Sequence, residues 1–233
     1  MKNILLLGAT GSIGDSVLKV ISQNEDSFNL YGIAAGKNNT KVEEIIKNFS
    51  PLNIFIDDQD AFKLVSSRFP NKNISNSEDE LCNLIQAPEV DIVISAIVGF
   101  AGLKTSMMAV NAGKTVLIAN KESVVAAGEL LMSAANLSGA KIIPIDSEHN
   151  AIFQCLGKNY ECFKKPNNVN KIILTASGGP FRDATLDEMK TATIAQALNH
   201  PNWNMGDKIT IDSATMMNKG LEVLEAHWLF NLD

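Results

Sequence analysis

The chain has 233 residues, of which 45% are hydrophobic and 20% charged, a composition typical of a globular protein large enough for two modest domains. Its net charge of −6 and pI near 5.1 argue against broad nucleic-acid binding, although a local cationic pocket stays open. The three cysteines lack the spacing of a zinc site or disulfide framework, and no apolar run approaches the roughly 20 residues of a membrane span.

The first predicted strand begins at residue 3, which leaves no room for a signal or transit peptide. We therefore expect a cytoplasmic protein with reduced thiols, whose partners include neither nucleic acid nor a membrane.

An apolar run at residues 4–7 precedes the most informative segment of the chain, the glycine-rich residues 8–14. The run has the length of a buried parallel strand, and Val17, Leu18 and Ile21 follow with helical spacing. Together they predict a strand, a tight turn and a helix whose first N–H groups bind the pyrophosphate of a dinucleotide. The spacing is GxxGxxG and not GxGxxG, so a glycine-rich turn without a ligand is the alternative.

Short apolar segments alternate with helical patterns as far as residue 145. Further strands are predicted at residues 30–35, 52–56, 91–96, 115–118 and 140–144. This alternation predicts an α/β fold, a Rossmann-like parallel sheet with helices on both faces, in a cofactor-binding domain of residues 1–145.

The chain changes character near residue 145, because all three histidines and both tryptophans follow that point. We predict that residues 146–233 form an α+β catalytic domain, with a strand at residues 172–174 and a helix at residues 149–156.

The end of the second predicted strand bears on the choice of cofactor. NAD sites usually place a carboxylate there for the ribose 2′-hydroxyl, but residues 36–38 read Gly-Lys-Asn. Lys37 suits the 2′-phosphate of NADP(H), with a solvated loop lysine as the alternative. The tripeptide Asn-Lys-Glu at residues 120–122 follows another strand, at the carboxyl edge where such sheets bind ligands.

Two carboxylates, Asp146 and Glu148, follow the predicted strand at residues 140–144. In an extended backbone, residues i and i+2 point to the same side, so we expect the two groups to lie together. Such an oxygen-only pair suits Mg²⁺ or Mn²⁺. An acidic pair that caps the following helix is the alternative.

Two later segments carry donors suited to a phosphate ester. Residues 175–181 combine small hydroxyl side chains with paired glycines after an apolar run. Ser213, Asn218 and Lys219 add hydroxyl, amide and ammonium donors, and Glu222 offers a further metal oxygen. Between these segments, Trp203 either closes over a ligand or packs as an ordinary loop tryptophan.

The segments GATGSIG, AGKN, ANKES, DSEHNAIFQ, SGGPF, HPNWNMG and DSATMMNKGLE together resemble the 1-deoxy-D-xylulose 5-phosphate reductoisomerase family, from residue 2 to about residue 230. DSEHNAIFQ and DSATMMNKGLE are the most specific of them. The resemblance implies an NADPH-dependent oxidoreductase and isomerase that also needs Mg²⁺ or Mn²⁺. Its reaction rearranges and reduces 1-deoxy-D-xylulose 5-phosphate to 2-C-methyl-D-erythritol 4-phosphate in non-mevalonate isoprenoid biosynthesis.

The resemblance also implies roles for individual residues, matched by motif position. The implied cofactor-binding residues are Thr10, Gly11, Ser12, Ile13, Gly36, Lys37, Asn38, Asn120, Glu122 and Gly206. The implied metal ligands are Asp146, Glu148 and Glu222. The implied substrate-binding residues are Lys121, Ser147, Glu148, Ser177, His200, Trp203, Ser213, Asn218, Lys219 and Glu222. Glu148, Lys121 and His200 are the implied catalytic residues.

Family members continue beyond the segment that matches residue 230. The resemblance therefore implies a truncated chain with an incomplete catalytic domain and no C-terminal helical domain, and a homodimer when the protein is full length. Two alternatives stay open. One is a metal-independent NADP dehydrogenase acting on a semialdehyde or hydroxy acid, and the other is a cofactor-binding fragment without activity.

Overall fold

The computed structural model describes residues 1–203 and 205–232. Within these ranges the centre of the fold is a seven-stranded sheet with the order β4-β3-β2-β1-β5-β6-β7. All neighbouring strands run parallel. The strands are β1 (Lys2–Leu7), β2 (Phe28–Ala35), β3 (Asn53–Ile56), β4 (Asn73–Ser75), β5 (Ile92–Ser95), β6 (Thr115–Ile118) and β7 (Lys141–Pro144).

Helices cover both faces of the sheet and continue after it. Those that alternate with the strands are α1 (Ser12–Ser22), α2 (Asn39–Phe49), α3 (Gln59–Arg68), α4 (Glu78–Gln86), α5 (Gly102–Asn111) and α6 (Lys121–Ser138). Those that follow the last strand are α7 (Ser147–Leu156), α8 (Leu186–Lys190), α9 (Ile194–Ala197), α10 (Asp207–Ala214) and α11 (Met217–Phe230). None of the described helices has the combined length and apolarity that crossing a bilayer would require.

The two faces of the sheet bury separate hydrophobic clusters because alternate strand residues point to opposite sides. Ile4 and Leu6 pack with α1, α2 and α3 on one face. Leu5 and Leu7 pack with α4, α5, α6 and the end of α11 on the other. Burial of both faces explains why the first strand reads as an unbroken apolar run.

The predicted α/β fold, with its Rossmann-like parallel sheet covered on both faces, is confirmed. Residues 57–90, for which the sequence pattern predicted no elements, contain α3, β4 and α4. Strand β4 was missed because it has only three residues and two of them, Asn73 and Ser75, are polar.

The strand predicted at residues 172–174 is wrong for the structure described here. The chain there is irregular, and Ile173 is 69% exposed. A strand needs a neighbour to pair its backbone groups, and none of the described residues provides one at this point.

Two glycines bring the turn after β1 into close contact with its surroundings. Gly8 has a φ of +86°, and a Cβ there would lie 2.5 Å from the carbonyl oxygen of Ala96 beside β5. Gly14, in the first turn of α1, lies so close to Ala9 that a Cβ would meet its carbonyl oxygen at 2.3 Å. The helix can therefore approach the strand only if these positions lack a side chain.

This packing predicts opposite effects for one substitution at two helical glycines. Gly14→Ala should lower the free energy of unfolding by about 2 kcal/mol, because the new methyl group overpacks against backbone. Gly220→Ala in α11 meets nothing within 4 Å and should raise it by about 0.5–1 kcal/mol through helix propensity. Urea denaturation measures both, and a stabilising Gly14→Ala would contradict the described contact.

Candidate active site

Three carboxylates from two distant segments converge on one point. Asp146 is the N-cap of α7, where its Oδ1 accepts a hydrogen bond of 3.1 Å from the backbone N–H of Ser147. Glu148 lies in the first turn of that helix, and Glu222 lies on α11. One carboxylate oxygen from each of Asp146, Glu148 and Glu222 lies within 4.8 Å of the other two.

The local reason for this convergence differs from the predicted one. The helix begins at Ser147 and not at residue 149, so Glu148 is helical and the extended-backbone argument is wrong. Asp146 caps the helix and also faces the other two carboxylates, so the capping alternative and the clustering prediction hold together.

Lys121 brings positive charge to this cluster from the beginning of α6. Its Nζ lies 2.5 Å from Oδ2 of Asp146 and 3.5 Å from Oε1 of Glu222, and it donates a 2.8 Å hydrogen bond to Oδ1 of Asn218. Only 8% of Lys121 is exposed. Burial alone would lower its pKa, but the attraction of Asp146 and Glu222 outweighs burial and raises it.

Lys219 approaches from the opposite side of the cluster. Its Nζ lies 3.1 Å from Oε1 of Glu148 and also pairs with Oε2 of Glu222. A further hydrogen bond runs from Nζ to the backbone oxygen of Thr175, which ties the 175–181 segment to α11. The two lysines thus balance most of the negative charge that three adjacent carboxylates would otherwise carry.

The pKa shifts of Glu148 and Glu222 run in opposite directions. Burial would raise the pKa of Glu148, but hydrogen bonds from Ser147 and Lys219 outweigh it and lower the pKa. Glu222 is 1% exposed, and burial raises its pKa despite the partial compensation by Lys219 and Lys121. Of these two groups, Glu222 is therefore the one whose ionised form depends more strongly on a nearby positive charge.

The donor set fits a hard divalent cation. It consists of carboxylate oxygens alone, which Mg²⁺ and Mn²⁺ prefer. Oxygens bound to one Mg²⁺ lie at most about 4.2 Å apart, so Asp146, Glu148 and Glu222 need only a small contraction from their present spacing. A cation at their centre would take over the charge compensation that Lys121 and Lys219 provide here.

A second buried cluster, which the sequence analysis did not predict, lies behind the carboxylates. His149 is fully buried, and its Nε2 lies 2.9 Å from the backbone oxygen of Glu222. Its Nδ1 lies 3.4 Å from Oε2 of Glu225, which is also fully buried. Burial lowers the pKa of His149 and raises that of Glu225 to about 8, so the pair is neutral at neutral pH. The available signal was the spacing, since Glu225 is one turn beyond Glu222.

The predicted phosphate-binding residues surround one small cavity. It is lined by Ser177, Ser213, Asn218 and Lys219, together with Glu148 and the glycine pair at residues 178–179. Gly179 has a φ of +67°, and a Cβ there would lie 2.6 Å from the carbonyl oxygen of Ser213. The close approach of these two segments explains why the loop uses a glycine at this position.

His200 connects the chain segment around Trp203 with this cavity. Its Nδ1 accepts hydrogen bonds from the backbone N–H groups of Asn202 and Trp203, at 3.1 and 3.0 Å. Nε2 therefore carries the proton and points at the hydroxyl of Ser177, 3.3 Å away. Trp203 itself is 63% exposed and is not among the described residues of either hydrophobic cluster.

A groove leads from the glycine-rich turn to Lys121 and Asn218, which contact the carboxylate cluster. Its lining comprises Gly11, Ser12, Ile13, Ala96, Ile97, Val98, Ala119, Lys121, Glu122, Ile209, Asp212 and Asn218. It opens where β1 and β5 lie side by side and the helices after them, α1 and α5, pack on opposite faces of the sheet. In such sheets this crevice is the usual ligand site. The first residues of α1, capped by Gly11 without a side chain, border it directly.

Several predicted cofactor-binding residues lie elsewhere along this edge. Gly36 and Lys37 are exposed directly after β2, and Asn38 caps α2 through a 3.1 Å hydrogen bond from the N–H of Lys41. Thr10 is half-buried in the turn, and Gly206 is the N-cap of α10. None of the described contacts joins these residues to the carboxylate cluster.

Asn120 acts through the backbone around it. It is 2% exposed, and its Nδ2 donates hydrogen bonds to the carbonyl oxygens of Ile97 and Gly99. Its Oδ1 accepts a 2.6 Å bond from the N–H of Ser123. The side chain therefore caps α6 and fixes the 97–99 loop beside the groove.

The Glu225 carboxyl predicts a pH-dependent stability difference. The folded state holds its proton up to about pH 8, whereas an ordinary glutamate loses it near 4.5. The contribution of Glu225 to the free energy of unfolding should therefore fall as the pH rises from about 5 to 8, by at most about 1.4 kcal/mol per pH unit.

Glu225→Gln removes this titration, so its stability relative to the native chain should increase over that pH range. Urea denaturation at several pH values measures the difference. The exposed Glu129→Gln is the control and should give a difference that does not vary with pH. Parallel profiles for Glu225→Gln and the native chain would contradict the neutral buried pair.

Two family profiles match most of the chain. The profile described as 1-deoxy-D-xylulose 5-phosphate reductoisomerase matches residues 4–128, and the one described as the C-terminal domain of that enzyme matches residues 142–230. The 1-deoxy-D-xylulose 5-phosphate reductoisomerase of Geobacillus sp. (strain WCH70) is 50% identical over 233 residues, which cover 100% of this chain and 60% of that protein. The enzyme of the same name from Clostridium perfringens (strain ATCC 13124) is 46% identical over 235 residues, which cover 99% of this chain and 60% of that protein.

Solved structures agree with these matches. A crystal structure of DOX-P reductoisomerase with NADPH, fosmidomycin and magnesium superimposes with a TM-score of 0.92 at 41% identity, covering 100% of this chain and 59% of that one. The Zymomonas mobilis enzyme in complex with NADPH gives a TM-score of 0.86 at 39% identity, with the same coverage. The chain spans about 60% of the length of the curated relatives it matches. It belongs to the 1-deoxy-D-xylulose 5-phosphate reductoisomerase family.

Proposed function

We propose that this chain carries the cofactor, metal and substrate sites for the conversion of 1-deoxy-D-xylulose 5-phosphate to 2-C-methyl-D-erythritol 4-phosphate. One observation carries the proposal: Asp146, Glu148 and Glu222 converge within 4.8 Å and contact Lys121 and Asn218, which also line the groove that begins at the dinucleotide-type turn. A relative with NADPH, fosmidomycin and magnesium bound, whose fold superimposes closely, supports it. A metal-independent dehydrogenase would have no use for three clustered carboxylates.

The same three carboxylates would hold the divalent cation. When bound, Mg²⁺ or Mn²⁺ supplies Lewis-acid polarisation of the substrate carbonyl and hydroxyl oxygens. The chain prepares the position electrostatically, since Lys121 and Lys219 form ion pairs with the carboxylates and hold them together beforehand. Ser147 adds a 2.6 Å hydrogen bond to Oε2 of Glu148 and so fixes its rotamer.

Lys121 and Glu148 are suited to move protons at the substrate oxygens. The raised pKa of Lys121 keeps its ammonium group charged, so Nζ can donate to an oxygen on which negative charge develops. The lowered pKa of Glu148 keeps its carboxylate ionised, so it can accept a proton from a hydroxyl. These shifts come from ion pairing and fix the charge states of the two groups, but they move both pKa values away from neutral pH and so strengthen neither group as an acid or a base.

The cavity around residues 177–179 would bind the phosphate group of the sugar phosphate. Hydroxyl groups of Ser177 and Ser213, the amide of Asn218 and the ammonium group of Lys219 converge there. Binding the phosphate at a site distant from the reacting carbons orients the substrate and contributes binding energy to the reaction. His200, bonded to both Ser177 and the backbone of Trp203, would couple phosphate binding to closure of the lid.

The groove would hold NADPH, which supplies the hydride when bound. The N–H groups at the beginning of α1 face the position of its pyrophosphate. Lys37, exposed at the end of β2, is placed to attract the 2′-phosphate. Gly206 lies at the start of α10, whose residues Ile209 and Asp212 border the same groove.

Further proposals concern the whole protein. A boundary near residue 145 is supported by the position of all described strands before it, and the segment after it would be the catalytic domain. The net charge of −6 supports a small-molecule partner over nucleic acid. Assembly of the full-length protein as a homodimer and a cytoplasmic location rest on the family resemblance.

Glu222→Gln tests the metal site separately from the cofactor site. Losing one charged ligand should weaken Mn²⁺ binding by more than about 100-fold, while the Kd for NADPH stays within about twofold because Glu222 does not border the groove. Calorimetry with Mn²⁺ and fluorescence titration with NADPH measure the two constants. Glu129→Gln, on the exposed side of α6, should change neither.

The outcomes separate the proposed function from its alternatives. Oxidation of NADPH that needs both Mn²⁺ and 1-deoxy-D-xylulose 5-phosphate, and that Glu222→Gln abolishes, is the expected result. Turnover that is unaffected by EDTA would favour a metal-independent dehydrogenase. NADPH binding without Mn²⁺-dependent substrate binding would favour a cofactor-binding fragment. Loss of both Mn²⁺ binding and NADPH binding in Glu222→Gln would indicate that the variant is misfolded.

A further inference from the structure

Lys208 bridges two carboxylates that belong to different parts of the chain. Its Nζ lies 2.7 Å from Oε1 of Glu122, near the beginning of α6, and 2.6 Å from Oδ2 of Asp212, one turn further along α10. Its side chain is 46% exposed, whereas those of Glu122 and Asp212 are 21% and 19% exposed. The ammonium group therefore lies on the solvent side of two carboxylates whose own side chains are mostly buried.

The acidic pair faces the same groove as the glycine-rich turn. Glu122 and Asp212 border this groove together with Gly11 and Ser12 at the start of α1. The nearest other cation on that wall, Lys121, is already engaged with Asp146 and the rest of the carboxylate cluster. Without Lys208, two uncompensated carboxylates would face any anion bound at the N-terminus of α1.

We propose that Lys208 is a positioning residue for the dinucleotide: it offsets part of the negative charge of the Glu122–Asp212 pair and holds α10 near the beginning of α6, so that a polyanionic cofactor can occupy the groove. The inference rests on the proposed function in one respect, that the cofactor is NADPH. Like charges within about 10 Å repel appreciably at ordinary ionic strength. The ion pairs also fix the start of α10, where Gly206 is the N-cap.

The protonation states support this arrangement. Burial would raise the pKa of Glu122, but hydrogen bonds from Lys208 and from the backbone outweigh it and lower the pKa. Burial would lower the pKa of Lys208, yet the bonds to Asp212 and Glu122 outweigh it and raise the pKa. Glu122 and Lys208 are therefore both charged near neutral pH.

Fluorescence titration of the chain with NADPH tests the proposal. Lys208→Met should weaken binding about tenfold at low salt, and Lys208→Arg should stay within about twofold of the native chain because it keeps the charge. Added salt should narrow the difference between Lys208→Met and the native chain. Mn²⁺ affinity should not change, because Lys208 contacts none of the three clustered carboxylates.

A second variant distinguishes charge compensation from a structural role. Adding Asp212→Asn to Lys208→Met should restore part of the lost affinity, because it removes one of the two negative charges that Lys208 no longer compensates. Lys2→Gln is the control, since it breaks a comparable 2.7 Å ion pair with Asp91 at the opposite edge of the sheet. It should leave NADPH binding unchanged.

Each outcome bears on the proposal. Lys208→Met with native affinity would overturn it, as would a loss that is insensitive to salt and not reduced by Asp212→Asn. A native chain that binds no NADPH would contradict the proposed function itself, and the inference would fall with it. If the native chain binds NADPH and Lys208→Met binds it equally well, the inference about Lys208 is wrong while the proposed function still holds.

Discussion

The mutual repulsion of three carboxylates is the constraint on which the candidate site depends. Asp146, Glu148 and Glu222 stay within 4.8 Å of one another because Lys121 and Lys219 lie among them. A buried set of charges is tolerated only when it is paired in this way. The charged groups come from α6, α7 and α11, so their ion pairs also hold these three helices together. A cation bound between the carboxylates would connect α7 and α11 in the same way.

The parallel sheet explains why these groups meet at one edge. The glycine-rich turn, the 120–122 tripeptide and the N-cap of α7 each follow the carboxyl end of a strand, and parallel strands place such ends side by side. Helix α11 then adds Glu222 by packing across α6. That packing is close, since a Cβ at Gly128 would lie 2.2 Å from Cγ of Trp228, and α6 departs from helical geometry at Ala127 beside it.

How far the sequence predicts this structure depends on whether the interaction is local. The glycine-rich turn and most strands are visible because their signals lie within a few residues. The polar strand β4 has no such signal, and the strand predicted at residues 172–174 fails because pairing depends on a distant neighbour. The carboxylates were predictable as a set from their motifs, but Lys208 with Glu122, 86 residues apart, was not. That pairing exists only once the fold brings α10 close to the beginning of α6.

The proposed site would hold one divalent cation between three carboxylates, beside the groove that would bind the cofactor. Anomalous diffraction from crystals of the chain grown with MnCl₂ and NADPH tests it most directly. The account predicts a manganese peak within coordination distance of Asp146, Glu148 and Glu222, with the ammonium groups of Lys121 and Lys219 moved away from its centre. A manganese peak at other residues, or an unchanged lysine-filled cluster at saturating Mn²⁺, would contradict it.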